Sequence, residues 1–237
     1  MNENARPSFT SLGHATIRCD LPGGEVMLID PWINNPKCPE TLKTFARLDS
    51  MLITHGHFDH ISDAVELARH HEPESVVANP EVCHWLASKG VDNLRELNTG
   101  GKTEILGCTV TMTWALHSSG ILDGDRMVYG GNPGGYVVET PGGYTFYHMG
   151  DTDLFSDLRL IAEFHDLDLV FMPIGDNYTM GPRSAAHAAR LLDAGTVIPI
   201  HWGTFPLLTG TPEDFAREWK ELGVGGEMVV LHPGDVY

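Results

Sequence analysis

The sequence has no long apolar run, and this lack excludes a transmembrane helix. Its longest apolar segments, such as DLVFMPI (168–174) and TVIPIHW (196–202), are far shorter than the roughly 20 residues that span a bilayer. The N-terminal segment MNENARPSFT is polar and contains no apolar signal core. We therefore expect a cytoplasmic protein.

Cysteines are few and unpaired in the sequence. The four of them are widely scattered and form no Cys-x-x-Cys pair, which argues against both a disulfide framework and a thiolate zinc site. We expect reduced and mostly buried thiols at Cys19, Cys38, Cys83 and Cys108.

Basic residues are also scarce, because 15 Lys and Arg stand against 32 Asp and Glu, for a formal net charge of −17. A surface of this sign repels a phosphate backbone, so a nucleic acid is not expected as partner, and a small-molecule substrate is favoured. Bound divalent cations would offset part of the acidity. The sequence leaves open whether the chain forms a homo-oligomer.

Strands and helices are predicted along the whole of residues 1–237 without a linker or low-complexity segment, which indicates a single domain. Two strand-rich regions each have their own helices, so we predict an α/β fold of four layers, αββα, with two mixed sheets face to face and helices outside. The predicted strands are 8–20, 25–31, 47–54, 75–80, 103–116, 134–140, 144–150, 168–174 and 196–202. The predicted helices are 62–71, capped by Ser62 or Asp63, and 80–90, 155–164, 184–195 and 211–223.

The segment ITHGHFDHIS (53–62) gathers four side chains that bind metals, His55, His57, Asp59 and His60. Residues i and i+2 of an extended backbone point to the same side, so His55 and His57 can face one ion. Asp59 and His60 follow at the turn into the next helix, where they can face a second position. One loop thus supplies ligands to two neighbouring ions.

Three further metal-binding side chains follow apolar segments, namely His117, Asp151 and His201. A lone histidine is more often a surface or core residue, but the joint pattern predicts a metal site. Imidazole and carboxylate ligands without thiolate suit zinc, manganese, iron or nickel. We expect two divalent ions, with zinc as the first choice.

The pattern His-x-His-x-Asp-His, followed by these three residues in this order, resembles the metallo-β-lactamase fold superfamily over nearly the whole chain. The segments SLGHAT, LIDPW, YTMGP and LHPGD further resemble a branch of small metal-dependent hydrolases that includes ascorbate-6-phosphate lactonase-like proteins. The resemblance implies three ligands for one ion, three for the other and one bridge. These are His55, His57 and His117, then Asp59, His60 and His201, and finally Asp151.

Two divalent ions about 3.5–4 Å apart lower the pKa of a shared water, and the resulting metal-bound hydroxide is the expected nucleophile. We predict hydrolysis of a small ester-like substrate such as a lactone, in which Asp59 passes a proton to the leaving group. A phosphodiesterase, including a phospholipase D-like one, is the first alternative. A metal-binding protein without turnover is the second.

Six further residues are candidates for the substrate pocket or for the support of metal ligands. His14 is either catalytic or a turn histidine bonded to the backbone. Asp30 ends an apolar segment and is expected to orient a ligand histidine. Asp176 and Tyr178 lie in a loop after an apolar strand, a common position of functional groups. Trp32 and Trp202 neighbour site residues and are predicted to line the pocket.

Overall fold

Short strands within residues 8–96 form one sheet of six. This computed structural model describes residues 6–237. The strands of this sheet are β1 (Ser8–Ser11), β2 (Ile17–Asp20), β3 (Val26–Ile29), β4 (Ser50–Leu52), β5 (Ser75–Ala78) and β6 (Leu94–Glu96), and they lie in this order. Neighbours from β1 to β3 are antiparallel, and those from β3 to β6 are parallel.

The second large sheet has seven strands, and a separate two-stranded hairpin lies between two of them in the sequence. The strands in chain order are β7 (Lys102–Ile105), β8 (Cys108–Trp114), β9 (Gly120–Asp123), β10 (Arg126–Tyr129), β11 (Gly134–Glu139), β12 (Thr145–His148), β13 (Leu169–Pro173), β14 (Thr196–Ile200) and β15 (Glu227–Met228). Within residues 6–237, strands β9 and β10 pair only with each other, and the sheet order is β15-β14-β13-β12-β11-β8-β7. It is antiparallel from β7 to β12 and parallel from β12 to β15.

Six α-helices lie in the described part of the chain. They are α1 (Phe58–Ile61), α2 (Ala64–His71), α3 (Pro80–Ser88), α4 (Leu158–Phe164), α5 (Pro182–Leu192) and α6 (Pro212–Leu222), and a 3₁₀ turn covers Glu40–Leu42. Proline in the first turn begins α3, α5 and α6. Side-chain caps at Asn79 and Thr211 accept hydrogen bonds from backbone amides of α3 and α6. Between residues 6 and 237, no helix is long and apolar enough to cross a membrane.

Three buried clusters show four layers. The central cluster joins side chains of both sheets, such as Met27 and Ile29 of β3 with Phe146 of β12. The alternate residues of β3, among them Leu28, face outward into a second cluster with α2 and α3. A third cluster packs the other face of the second sheet against α4, α5 and α6. The predicted αββα sandwich with two mixed sheets is confirmed.

Several local predictions were wrong. The expected strand over 8–20 is broken between β1 and β2, because His14 adopts a left-handed backbone with φ of 57°. Asp63 occupies the N-cap position of α2, as predicted, but its carboxylate accepts hydrogen bonds from Asn34 and makes no capping bond to the helix. The segment 103–116 divides into β7 and β8. The sequence interpretation missed β6, the β9–β10 hairpin, β15 and the short helix α1.

The candidate residues collect at one edge of the sandwich, where strand ends from both sheets meet. Asp30 follows β3, and the segment 53–57 follows β4. His117, Asp151 and His201 follow β8, β12 and β14 of the other sheet. Ligand sites of α/β proteins commonly lie beyond the carboxyl ends of strands.

Candidate metal centre

The first group of side chains at this edge consists of His55, His57, His117 and Asp151, whose ligand atoms lie within 4.8 Å of one another. His57 Nδ1 is 3.0 Å from His55 Nε2 and 3.2 Å from His117 Nε2. Asp151 Oδ2 is 3.8 Å from His55 Nε2 and 3.5 Å from His117 Nε2. Three imidazoles and one carboxylate therefore face a common point.

The second group consists of His14, Asp59, His60 and His201, again within 4.8 Å of one another. Asp59 Oδ2 lies 3.0 Å from His14 Nε2 and 3.7 Å from His201 Nε2. The group contains the three residues expected around a second ion, and the structure adds His14 to them.

Asp151 lies between the two groups. Its Oδ2 atom is 3.3 Å from His60 Nε2 and 3.1 Å from His201 Nε2, in addition to its contacts with the first group. A single carboxylate oxygen is thus close to nitrogen atoms on both sides. This is the position from which one residue can serve two cations.

The side chains present fit divalent cations in both spacing and hydrogen bonding. Atoms bound to one zinc at about 2.0–2.1 Å in a tetrahedron lie roughly 3.3–3.4 Å apart, close to the separations found here. Within residues 6–237, the buried atoms His60 Nε2, His201 Nε2 and Asp151 Oδ1 have no hydrogen-bond partner. The 3.1 Å contact between His201 and Asp151 lacks hydrogen-bond geometry. Buried polar atoms are normally paired, and a cation would satisfy these.

The histidines of the first group are held in the neutral form. Burial lowers the pKa of His55, His57 and His117 below the ordinary value for histidine. A metal ligand must be a neutral imidazole with a free lone pair. The environment therefore favours the protonation state that metal binding requires.

In the second group, the pKa of His201 shifts in the opposite direction. Burial disfavours the charged form of His201, but the nearby Asp151 and Asp59 carboxylates together outweigh it and raise the pKa to about 9. Burial alone would raise the pKa of Asp59, but contacts from His14 and His201 hold it well below its usual range. Asp59 and Asp151 are thus both ionised, and their negative charges favour a cation beside the second group.

Asp30 supports the centre from behind. It is fully buried and its Oδ2 lies 2.7 Å from His60 Nδ1. The backbone amide and the hydroxyl of Thr54 donate to the two oxygens of Asp30, each at 2.8 Å. The Thr54 hydroxyl is also 3.0 Å from His55 Nδ1. Asp30 thereby fixes one histidine of each group, His60 directly and His55 through Thr54. Residues behind the ligands of metal sites commonly have this role.

His14 is placed by a hydrogen bond on each ring nitrogen. Nε2 faces Asp59 Oδ2, and Nδ1 is 2.9 Å from Thr204 Oγ1. Burial lowers the pKa of His14 to about 4, so the ring is neutral. An ionised carboxylate only accepts, so His14 donates from Nε2–H and its Nδ1 accepts from the Thr204 hydroxyl. Both ring nitrogens thus bond to side chains, whereas the ring of a simple turn histidine would bond to backbone.

The remaining predicted pocket residues divide into near and distant ones. The Trp32 ring meets the His14 ring edge to face at a centroid distance of 5.2 Å. Trp202 donates to the carbonyl of Pro199, packs against His232 and lines one cavity together with His14. Asp176 and Tyr178 are exposed, and nowhere in 6–237 does either side chain hydrogen-bond, ion-pair or stack with the two groups.

Sequence reasoning missed four residues that touch the centre or its borders. Thr54 and Thr204 are ordinary threonines whose hydroxyls reveal nothing in sequence. Phe58 and Phe205 lie close to candidate ligands in the sequence, and this proximity could have identified them as residues bordering the site. Both contact Trp32.

Comparison with known proteins gives concordant matches. A family model described as Beta-lactamase superfamily domain matches residues 26–202. A UPF0173 metal-dependent hydrolase of Koribacter versatilis is 52% identical over 210 residues, covering 88% of this chain and 90% of the relative. One from Rubrobacter xylanophilus is 50% identical over 229 residues, covering 96% and 94%. The structure of Igni18, a metallo hydrolase from Ignicoccus hospitalis, is similar with a TM-score of 0.85 and 31% identity, covering 98% and 97%.

Proposed function

Because the chain belongs to the beta-lactamase superfamily, among its UPF0173 metal-dependent hydrolases, we propose that it cleaves a small ester-like substrate, a lactone first among them. The proposal includes two divalent ions, with zinc as the first choice and manganese, iron or nickel as alternatives. His55, His57 and His117 would hold one ion, and Asp59, His60 and His201 the other.

The observation that carries this proposal is the position of Asp151 between the two groups. Its Oδ2 lies within 3.8 Å of nitrogen atoms from both. When bound, two divalent ions lower the pKa of a water molecule and polarise a substrate oxygen. No serine or cysteine nucleophile is then required, and the four cysteines are buried.

Asp59 is proposed to accept a proton from the attacking water and to pass it to the leaving group. Its carboxylate is ionised, because contacts from His14 and His201 hold its pKa low against the effect of burial. Donation from His14 Nε2 to Asp59 Oδ2 fixes the orientation of the carboxylate. Thr204 in turn orients His14. These three side chains would keep a proton acceptor aimed into the site.

A phosphodiester receives less support from the side chains of the centre. Throughout residues 6–237, no Lys or Arg forms an ion pair with Asp30, Asp59 or Asp151, whose charged partners are histidines. Guanidinium or ammonium groups commonly bind phosphate oxygens in proteins. A carboxylic ester needs no such partner.

The proposal is tested by hydrolysis with zinc- and manganese-loaded protein of a lactone panel beside a phosphodiester. We expect lactone opening to be faster, and Asp59→Asn to reduce it by roughly 100-fold or more. Metal content is measured in each variant, and Asp92→Asn at an exposed position is the matched control. Near-normal turnover in fully metallated Asp59→Asn would contradict the role of Asp59. Preference for the phosphodiester would favour the alternative substrate class, and inactivity on both would favour a protein without turnover.

A further inference from the structure

Three aromatic side chains, Trp32, Phe58 and Phe205, form a cluster that we call the aromatic rim. Ring centroids are 5.6 Å apart for Trp32 and Phe58, 5.8 Å for Trp32 and Phe205, and 6.2 Å for Phe58 and Phe205. The rings meet edge to face, stacked and tilted, respectively, at separations where aromatic pairs attract each other. The cluster is therefore a continuous apolar surface.

The aromatic rim borders the second group of the metal centre. Phe58 lies in the chain between His57 and Asp59, and Phe205 lies four residues after His201. The ring of His14, which contacts Asp59, is 5.2 Å from Trp32 and 5.5 Å from Phe205. An apolar group bound on the rim would thus be next to the carboxylate proposed to transfer a proton.

Part of this surface is open to solvent. Phe58 is 49% exposed although its neighbours Asp59 and His60 in α1 are buried. Trp32 beneath it is only 8% exposed, and Phe205 is partly exposed. Covering an exposed ring with an apolar ligand removes apolar surface from water, which favours binding. The buried Trp32 gives the exposed ring a fixed support.

The aromatic rim carries no cationic partner. Arg and Lys side chains over aromatic rings occur at Tyr237, Phe45 and Trp85, and across the described residues none lies over a ring of the rim. Contact with these rings therefore suits a neutral apolar group, whereas a phosphate or carboxylate would lose hydration there and would be drawn to cations in the metal centre instead.

From this geometry we infer that the aromatic rim binds a neutral apolar substituent of the substrate, about the size of one ring. The inference rests on the proposed function for the identity of the bond that is cleaved. It adds the class of substrate, namely a neutral ester or lactone with an apolar group beside the scissile bond. Phe58 is the specificity-determining residue, since it is the most exposed ring of the three.

Ketone binding tests this inference independently of hydrolysis, because a ketone resembles an ester carbonyl but cannot be hydrolysed. We would measure binding of 4-phenyl-2-butanone, 2-butanone and phenyl phosphate to the zinc-loaded protein by saturation-transfer NMR and calorimetry. We expect the phenyl ketone to bind at least fivefold more tightly than 2-butanone. Phe58→Ala should weaken the phenyl ketone roughly fivefold to tenfold and leave 2-butanone within about twofold.

Phe164→Ala is the matched control, because Phe164 is 77% exposed and lies at the end of α4. Phe58→Leu keeps an apolar side chain and should retain part of the affinity, which guards against a folding defect in the alanine variant. Equal binding of the two ketones, or the same loss in Phe164→Ala, would overturn the inference. If phenyl phosphate bound more tightly than the phenyl ketone and lost affinity in Phe58→Ala, the expectation of a neutral substrate would be overturned. Selective ketone binding without ester hydrolysis would leave the rim supported and the proposed function contradicted.

Discussion

At the scale of single residues, the buried Asp30 supports the metal centre although it is not one of the proposed ligands. It accepts from the Thr54 amide and hydroxyl and contacts His60 Nδ1. Its backbone φ of 50° is unusual for a residue with a side chain. Such local strain persists where surrounding bonds determine the conformation, as these three do.

Replacement of Asp30 by alanine should damage both stability and zinc binding. It removes three buried hydrogen-bond contacts, so we expect the free energy of unfolding to fall by about 2–5 kcal/mol. Zinc affinity should fall by roughly 10-fold to 100-fold, because His60 loses its support. Urea denaturation and zinc titration measure the two effects.

Asp49→Ala separates the two effects. Asp49 is also a buried carboxylate and accepts from the Val26 amide at 2.7 Å, but it lies outside the metal centre. The Asp49 variant should lose stability and keep its zinc affinity. Wild-type zinc affinity in Asp30→Ala would contradict the proposed support of His60.

The residue types of the site were predictable, but several partners were not. Histidines and aspartates after apolar segments indicated the seven expected ligands, and the structure brings them together. Whether each binds a metal stays a prediction. His14 remained ambiguous in sequence because its two side-chain contacts, Asp59 and Thr204, lie 45 and 190 positions away. Asp176 and Tyr178 looked equivalent to site residues in sequence because both follow an apolar strand.

At the scale of elements, the loop between β4 and α1 depends on close contact with the β9–β10 hairpin. The Gly56 amide donates to Ser119 Oγ at 3.0 Å. A Cβ atom at Gly56 would lie 2.5 Å from Ile121 Cγ1 in β9, well inside the normal contact distance. Glycine therefore lets the loop with His55 and His57 approach the hairpin that follows His117.

Gly56→Ala is expected to destabilise this contact. The added methyl group overpacks against Ile121, so the free energy of unfolding should fall by about 1–3 kcal/mol and zinc affinity should fall with it. Ile121→Ala removes the atom that the methyl group meets. The double variant should therefore lose less stability than the sum of the two single losses.

Gly225→Ala is the matched control for this cycle, because a Cβ at Gly225 would meet only Asp193 Oδ1 at an ordinary 3.6 Å. Denaturation and zinc titration of the wild type, the two single variants, the double variant and this control complete the comparison. Strict additivity of Gly56→Ala and Ile121→Ala would show that the close contact does not limit the loop.

The elements that sequence predicted best are those with strong apolar patterns. Buried strands such as β13 and β14 and the amphipathic helices α5 and α6 were expected near their observed positions. The missed elements have weak patterns. Strand β15 has two residues, β6 is largely exposed, and the hairpin exposes Leu122, Met127 and Tyr129. Tertiary contacts, not local pattern, determine these elements.

At the scale of the whole molecule, each group of the metal centre combines side chains held by both sheets. His55 and His57 follow β4 of the first sheet, and His117 and Asp151 follow β8 and β12 of the second. In the other group, only His201 follows a strand of the second sheet. A cation in either group would connect the two halves of the sandwich, so metal binding should stabilise the folded protein.

The count of zinc ions per chain tests the central claim most directly. The metal-free protein is titrated with zinc by calorimetry, and bound metal is confirmed by elemental analysis. We expect two zinc ions per wild-type chain, one in His117→Ala, and two in His84→Ala, whose histidine is exposed on α3. A wild-type chain that binds fewer than two ions, or an unchanged count in His117→Ala, would contradict the two-ion centre.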